Sequence, residues 1–299
     1  MNKIESMSKR MRHLDIVAGI LITYMVYVHV SQFFDFENVA FSKILQHLFG
    51  FFMPWFFFKG GMFFRDSPLR KIIYGGFKRL MIPYIIWTII GVLVLSIIRY
   101  EHGIAFNFLT CIKGTLGCLA LTGSVSGNLP LWFLLTLYLV RLIYKCSKLC
   151  NISAIAFVFV CFFGGLACNY YDISCPKYFA NTLTAAMFFG GGELMKSLQY
   201  SCKLKWLSTI LFVLINCFAY TYVGIRNNVV IEGNYFLWPI FSFSGIILIN
   251  NLFSNLEKNK NNKIYQYVLK LLTFIGSHSM TVYVVHWPIL LILRDIIEK

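Results

Sequence analysis

Charge is scarce in this chain, and acid scarcest of all: 13% of its 299 residues are charged and only 12 are Asp or Glu. So few charges cannot cover a water-soluble surface, while 58% hydrophobic and 18% aromatic content is far too apolar for a disordered chain. The nine cysteines form no C-x-x-C pair, and most lie in apolar runs where a free thiol behaves as a small hydrophobe. Cys168 and Cys175, which flank one loop, stand as the candidate bridge. Metal-ligand spacings, phosphate-cradling glycine loops, internal repeats and low-complexity segments are all missing, so the usual signatures of metal, nucleotide and solenoid proteins are absent. A cleavable signal is missing too: the first apolar run is too long for a signal core and lacks a small-residue cleavage pattern behind it. That first helix is expected to stay.

What is present is a series of apolar segments near the 20 residues that cross about 30 Å of hydrocarbon. They predict an all-α, polytopic transmembrane bundle, a single membrane-embedded domain over 1–299. Spans are expected at about 14–34, 44–64, 80–98, 129–144, 151–170, 178–195, 206–223, 235–253 and 271–293. Phe106 to Ser124, apolar but interrupted by Lys113, Gly114 and Gly117, leaves the count at nine to ten. The net charge of +15 raises a nucleic-acid partner as a question, and the placement of the cations answers it. With the N-terminus cytoplasmic, nineteen of the 27 Lys and Arg fall in inner segments, seven fall outside, and Lys59 is left in the membrane. The positive-inside rule accounts for that pattern with no nucleic acid, and nine full crossings fit it better than ten. A cell (plasma or inner) membrane location follows.

Ionisable residues inside a bilayer are functional candidates by default, because burying them is expensive. Here they are Asp15, His29, Lys59, Glu193, His278 and His286. Asp15 opens the first span, where a carboxylate also serves the free N–H groups of a helix N-terminus. His29 is fourteen residues on, about 21 Å along the axis, in the outer half of the membrane, where an interfacial histidine is the plainer reading. In the last span Ser279, Tyr283 and His286 share one face, and His286 reaches a depth similar to His29. Two histidines at one height can line a common cavity. Trp287 and Pro288 equally serve as interfacial anchor and kink, as Trp132 and Trp238 serve as anchors or as platforms for a sugar. Glu193 is expected to be paired by nearby Lys196. Lys59, in the run FFMPWFFFKGGMFF, lies about 7.5 Å from the end of its span, within reach of the headgroups by snorkelling. The same geometry lets it bind an anion beside Gly60 and Gly61, which allow close approach of backbone or ligand.

Histidine suits proton transfer near neutral pH, and a neutral imidazole can take a proton from a hydroxyl attacking a thioester. No Ser-His-Asp or Cys-His arrangement is legible, so direct transfer assisted by a general base is the simplest enzymatic scheme, with a transient acyl-enzyme still open.

Several motifs in their order resemble the integral-membrane acyltransferase 3 family, particularly its fucose 4-O-acetylase-like and exopolysaccharide-modifying branch. They are RHLDIVAG with His29 fourteen residues after Asp15; FFMPWFFFKGGMFF; FKRLMIPYIIW; LPLWFLLTLYL; and LTFIGSHSMTVYVVHWPIL. The resemblance spans nearly the whole chain, although the fifth to eighth spans match only as hydrophobic segments. It implies transfer of an acyl group, usually acetyl from acetyl-CoA as co-substrate with no permanently bound cofactor, to a hydroxyl of a cell-surface polysaccharide or lipid-linked sugar. His29 falls on the family's catalytic histidine, Asp15 on the acidic position of the same motif, and Arg79 on a basic residue opening the third span. Two departures stand out. Ala18 occupies a position where the family usually has Arg or Lys, and Gly60-Gly61 replaces a frequent Ser-Gly.

Under this reading the phosphates of the acyl-CoA donor meet Arg12, Lys78 and Arg79 at the inner mouth, with Lys59 partly replacing the base missing at Ala18. His29 deprotonates the carbohydrate acceptor, and Tyr283, Ser279, His286 and Trp132 orient it or stabilise the oxyanion. The alternative is a transporter or export component for a glycan or lipid-linked sugar, which also needs intramembrane polar groups and broken helices. His29 and a basic CoA-facing mouth are what transport alone does not require.

Overall fold

Without water to bond to, a backbone in hydrocarbon must satisfy its polar groups within each segment, and no strand occurs among the described residues. The computed structural model describes residues 11–34, 39–104, 107–171, 176–197, 202–219, 234–256 and 263–299; Cys175 lies outside them. In chain order the helices are α1 (Arg12–Phe34), α2 (Val39–Phe49), α3 (Phe52–Met62), α4 (Leu69–Gly76), α5 (Ile82–Glu101), α6 (Phe108–Thr122), α7 (Trp132–Leu149), α8 (Ala154–Tyr170), α9 (Lys177–Ser197), α10 (Cys202–Leu214), α11 (Leu237–Leu256), α12 (Lys263–Ser277) and α13 (Ser279–Glu298). Among the described residues, five uninterrupted helical stretches are long and apolar enough to cross a membrane: Arg12–Phe34, Leu69–Glu101, Leu129–Leu149, Leu237–Leu256 and Ser279–Glu298.

Two expected spans are broken, and each break has a cause in its residues. The segment 44–64 divides at Gly50 and Phe51. Pro54 then sits in the first turn of α3, where its missing N–H is no loss. The Phe51 ring fills the hollow over Gly245 of α11, where a Cβ would stand 2.4 Å from it. The segment 271–293 divides at His278, so His286 is the eighth residue of α13 rather than a position midway along one long helix.

The third span is longer than expected. It starts at Leu69 and runs to Glu101 through a π-helical turn at Phe77–Met81. Pro83 has no N–H to offer the carbonyl of Arg79, and the widened turn accommodates that loss.

Glycines set the closest crossings. A Cβ on Gly192 of α9 would lie 2.0 Å from the Phe58 carbonyl oxygen of α3, and one on Gly61 would lie 1.8 Å from the carbonyl oxygen of Phe189. Gly19 of α1 and Gly276 of α12 face each other's backbones in the same way, at 2.2 Å from Leu272 O and 1.8 Å from Asp15 O. Small residues thus let α3 lie on α9 and α12 on α1, the packing device available where lipid removes the hydrophobic drive between helices. Inside, Trp55, Phe57, Phe58, Phe188, Phe189, Trp238 and Phe241 are fully buried. Outside, α5 presents Ile85, Ile86, Ile89, Leu93 and Ile97, and α6 presents Phe108, Leu109, Leu116 and Leu121. That outer surface suits a lipid surround.

One polar side chain repairs the last helix. Pro288 within α13 cannot bond the carbonyl of Val284, and the buried amide of Asn128 donates to that oxygen at 3.0 Å. Asn128→Leu is expected to cost about 1–3 kcal/mol, the penalty of an orphaned buried acceptor. Thermal unfolding in detergent checks it, and the cost should shrink in a Pro288→Ala background, where a backbone N–H returns.

Candidate active site

Two histidines from opposite ends of the chain meet. His29 Nδ1 of α1 lies 2.8 Å from His286 Nε2 of α13, and the two rings lie edge to edge, their planes 5° apart and their centroids 5.0 Å apart, as an in-plane hydrogen bond requires. The proton positions follow from the partners. His286 Nδ1 faces the carbonyl oxygens of Tyr283 at 2.8 Å and Val282 at 3.2 Å, which only accept, so it carries the hydrogen. In the neutral pair His286 Nε2 is then an acceptor, and His29 Nδ1–H donates to it. This assignment by network leaves the lone pair of His29 on Nε2. The indole of Trp287 stands edge-on to His29 at 5.1 Å between centroids, and Phe33 packs on Trp287 at 4.8 Å. The His29 ring is held by this hydrogen bond on one side and an aromatic wall on the other.

His29 lines a chamber of about 470 Å³ toward the Phe34 end of α1. Its walls combine Ser31, Gln32, Ser42, Gln46 and Ser124 with the rings of Trp132, Trp238 and Trp287. The indole N–H groups of Trp238 and Trp287 are buried with no hydrogen-bond partner among the described residues. Such a lining, aromatic faces with hydroxyl and amide groups, is chemically suited to a polyhydroxylated ligand.

A second cavity of about 890 Å³ opens toward the Arg12 end. Five cations line it: Lys59, Arg65, Lys71, Arg79 and Arg141, against one carboxylate, Asp66. Asp66 is tied to Lys145 at 2.5 Å, and that hydrogen bond holds its carboxyl below the usual carboxylate range. Low-dielectric walls around several like charges focus a positive field, the electrostatics of an anion site.

The cations expected at the inner mouth divide. Arg79 lines the cavity, whereas Lys78 is exposed and Arg12 points to Thr273 Oγ1 at 3.5 Å; neither borders the cavity. Arg65, Lys71 and Arg141 replace them. In the sequence these three are ordinary inner-side charges under the positive-inside rule, and only their convergence in space brings them to one cavity. The shared face of α13 is also divided by height. Ser279 lines the basic cavity, His286 meets His29, and Tyr283 borders both spaces while its hydroxyl donates to the Pro130 carbonyl.

Lys59 does not escape to the headgroups. Its ammonium reaches across to α1, donating to Asp15 Oδ1 and to the Leu14 carbonyl, each at 3.4 Å, and stands 5.3 Å from the Trp55 ring centroid. Asp15, expected as an N-terminal cap or catalytic acid, sits in the first turn facing this cation. Gly61 serves backbone contact with α9, while Gly60 borders the basic cavity. Ala18, one turn along from Asp15, is fully buried. Glu193 pairs with Lys148 at 3.3 Å, a correction to the expected Lys196, which instead bonds the Phe64 carbonyl at 2.9 Å.

Comparison with curated proteins and with solved structures returns no match. Comparison with protein families returns one, described as an acyltransferase domain and matched over residues 12–299, which takes in both histidines, all five cations of the basic cavity and both cavity walls. On that extent of match, the chain belongs to the acyltransferase 3 family and is a membrane acyltransferase.

Proposed function

We propose that the whole chain works as one membrane unit that moves an acetyl group from acetyl-CoA to a hydroxyl of a cell-surface polysaccharide or lipid-linked sugar, with His29 as general base. The observation that carries this reading is the junction of two unlike spaces, a five-cation cavity and a polar, aromatic chamber, with His29 lining the chamber and its Nδ1 bound to His286. CoA is anionic and cytoplasmic, so its phosphates belong against Arg65, Lys71, Arg79 and Arg141, where guanidinium groups bind bidentately. That orientation places the Arg12 end of α1 in the cytoplasm of a cell (plasma or inner) membrane, in keeping with the inward bias of basic residues. The thioester then points up toward the chamber, where the sugar meets the ring of Trp132.

In the reaction, His29 Nε2 takes the acceptor hydroxyl proton as the oxygen attacks the thioester carbonyl carbon. The C–O bond forms, the C–S bond breaks, and the proton passes to the departing thiolate, giving the ester and free CoA. The imidazolium formed in between keeps its Nδ1–H on His286, a charge-assisted bond stronger than the neutral one. Nothing in this scheme requires an acyl-enzyme. Lys59 contributes a cation one turn from Ala18, the place where relatives usually carry a basic residue, and in this reading it serves in that residue's stead.

The test is a membrane preparation supplied with acetyl-CoA labelled in the acetyl group and with extracted surface glycans. Label is expected on the glycan as an alkali-labile ester, and Arg79→Ala together with Arg141→Ala should raise the KM for acetyl-CoA roughly tenfold or more, two charge-assisted contacts being lost. Absence of transfer to any glycan, with glycan export dependent on the protein, would support transport instead.

A further inference from the structure

The two spaces have separate walls except at one level. Among the described residues only Met53 and Tyr283 border both. On α1 the basic cavity ends at Ile22 and the chamber begins at Tyr24 and Met25, so the divide lies between those residues. That is about 6–10 Å below His29 by the helical rise. Tyr283 is fixed there. It is buried, its hydroxyl is bound to the Pro130 carbonyl, and its ring packs on Phe133 with centroids 5.2 Å apart. Met53 is different in kind: an unbranched thioether with three rotatable bonds, near the start of α3 just past the break at Gly50 and Phe51. It is 8% exposed and lines both spaces.

We infer that Met53 is the gate between donor and acceptor spaces, and that it selects acyl groups by girth. The inference rests on the proposed acyl transfer and adds a specificity-determining residue to it. If CoA is held in the basic cavity and the sugar in the chamber, the thioester has to cross between a rigid phenol ring and a movable thioether. A linear acyl group needs the width of one methylene chain, while a branched one needs the width of two. Rotation of the Met53 side chain admits the first. With no thioester in place, the same side chain keeps water in the chamber from the basic cavity and so protects acetyl-CoA from hydrolysis.

The experiment uses the full-length protein in membranes, with acetyl-, butyryl- and isobutyryl-CoA as donors and a surface glycan as acceptor. Butyryl and isobutyryl have the same carbon count and differ in girth. For the unaltered protein kcat/KM is expected to fall more steeply for isobutyryl than for butyryl. Met53→Ala should raise isobutyryl transfer relative to butyryl by about tenfold or more, within the range that one or two methylenes discriminate. It should also increase acetyl-CoA hydrolysis measured without acceptor. Met53→Phe, which fills the same divide, should slow transfer from all three donors while leaving CoA binding, read by calorimetry, unchanged. Unaltered donor ratios in Met53→Ala with an unslowed Met53→Phe overturn the gate. A protein that transfers acetyl normally and fails only these comparisons leaves the acyltransferase reading intact, whereas absence of transfer by the unaltered protein removes both.

Discussion

His29→Ala is expected to lower kcat for glycan acetylation by about 10²–10⁴-fold, the contribution of a positioned general base. The KM for acetyl-CoA should stay within roughly a factor of two, because the side chains proposed to bind the phosphates lie in the other cavity and uniform binding is untouched. The partner histidine refines the expectation. In the proposed scheme His286 fixes which nitrogen of His29 carries the proton, and so acts through His29. His286→Leu removes the acceptor of the Nδ1 hydrogen and frees the ring to take the wrong tautomer, with an expected loss of roughly tenfold or more in kcat, as tautomer control does in triads. His286→Gln keeps an amide oxygen in reach of Nδ1–H and should recover much of that loss. Retained activity in His29→Ala sinks the catalytic assignment. Equal damage from Leu and Gln at His286 reduces that residue to packing.

Much of this site was legible because burial in hydrocarbon makes rare residues conspicuous. His29 and His286 stood out as histidines at similar heights, and the structure puts them in hydrogen-bond contact although the helix of His286 begins eight residues later than expected. The breaks at Gly50 and at His278 were hidden for a physical reason. A hydropathy pattern registers apolarity, and neither Phe-Phe-Met-Pro nor Ile-Gly-Ser-His changes it enough to split a span of 20 residues. The signal that existed was local: a glycine followed four residues later by Pro54, and the Gly-Ser-His-Ser cluster before α13. Arg65, Lys71 and Arg141 were hidden differently. Each satisfies the positive-inside rule, so topology explained them completely and left no residue of surprise to mark a ligand cavity. Asn128 was readable only through Pro288, whose missing N–H frees a carbonyl four residues back. Met53 carried no sequence signal, since one methionine in a phenylalanine run reads as core until the two cavities it separates are seen.

Lys59→Met is expected to destabilise the protein and not merely to weaken donor binding. A snorkelling lysine could be exchanged for methionine at little cost, since the stem is kept and only a headgroup contact is lost. Here the ammonium faces Asp15 at 3.4 Å, with side-chain exposures of 23% and 12%, so the substitution removes the cation opposite a largely desolvated carboxylate. Removing one partner of a buried pair costs about 3–5 kcal/mol, and the residual exposure of both groups places this pair at the lower end. Asp15→Asn/Lys59→Met together should recover part of that loss, because no charge is then left to desolvate. Thermal unfolding in detergent reads this cycle, and the KM for acetyl-CoA reads the second role. If Lys59 also holds a phosphate, the double variant regains stability while its KM stays high; if KM recovers along with stability, the lysine is there for Asp15 alone. The opposite repair, Ala18→Arg, is not expected to help. Ala18 is fully buried, and a guanidinium inserted there meets packed side chains rather than a vacant phosphate site, costing about 1–3 kcal/mol from overpacking alone. The cation beside Asp15 comes from α3, and the packing around Ala18 leaves no room for another on α1.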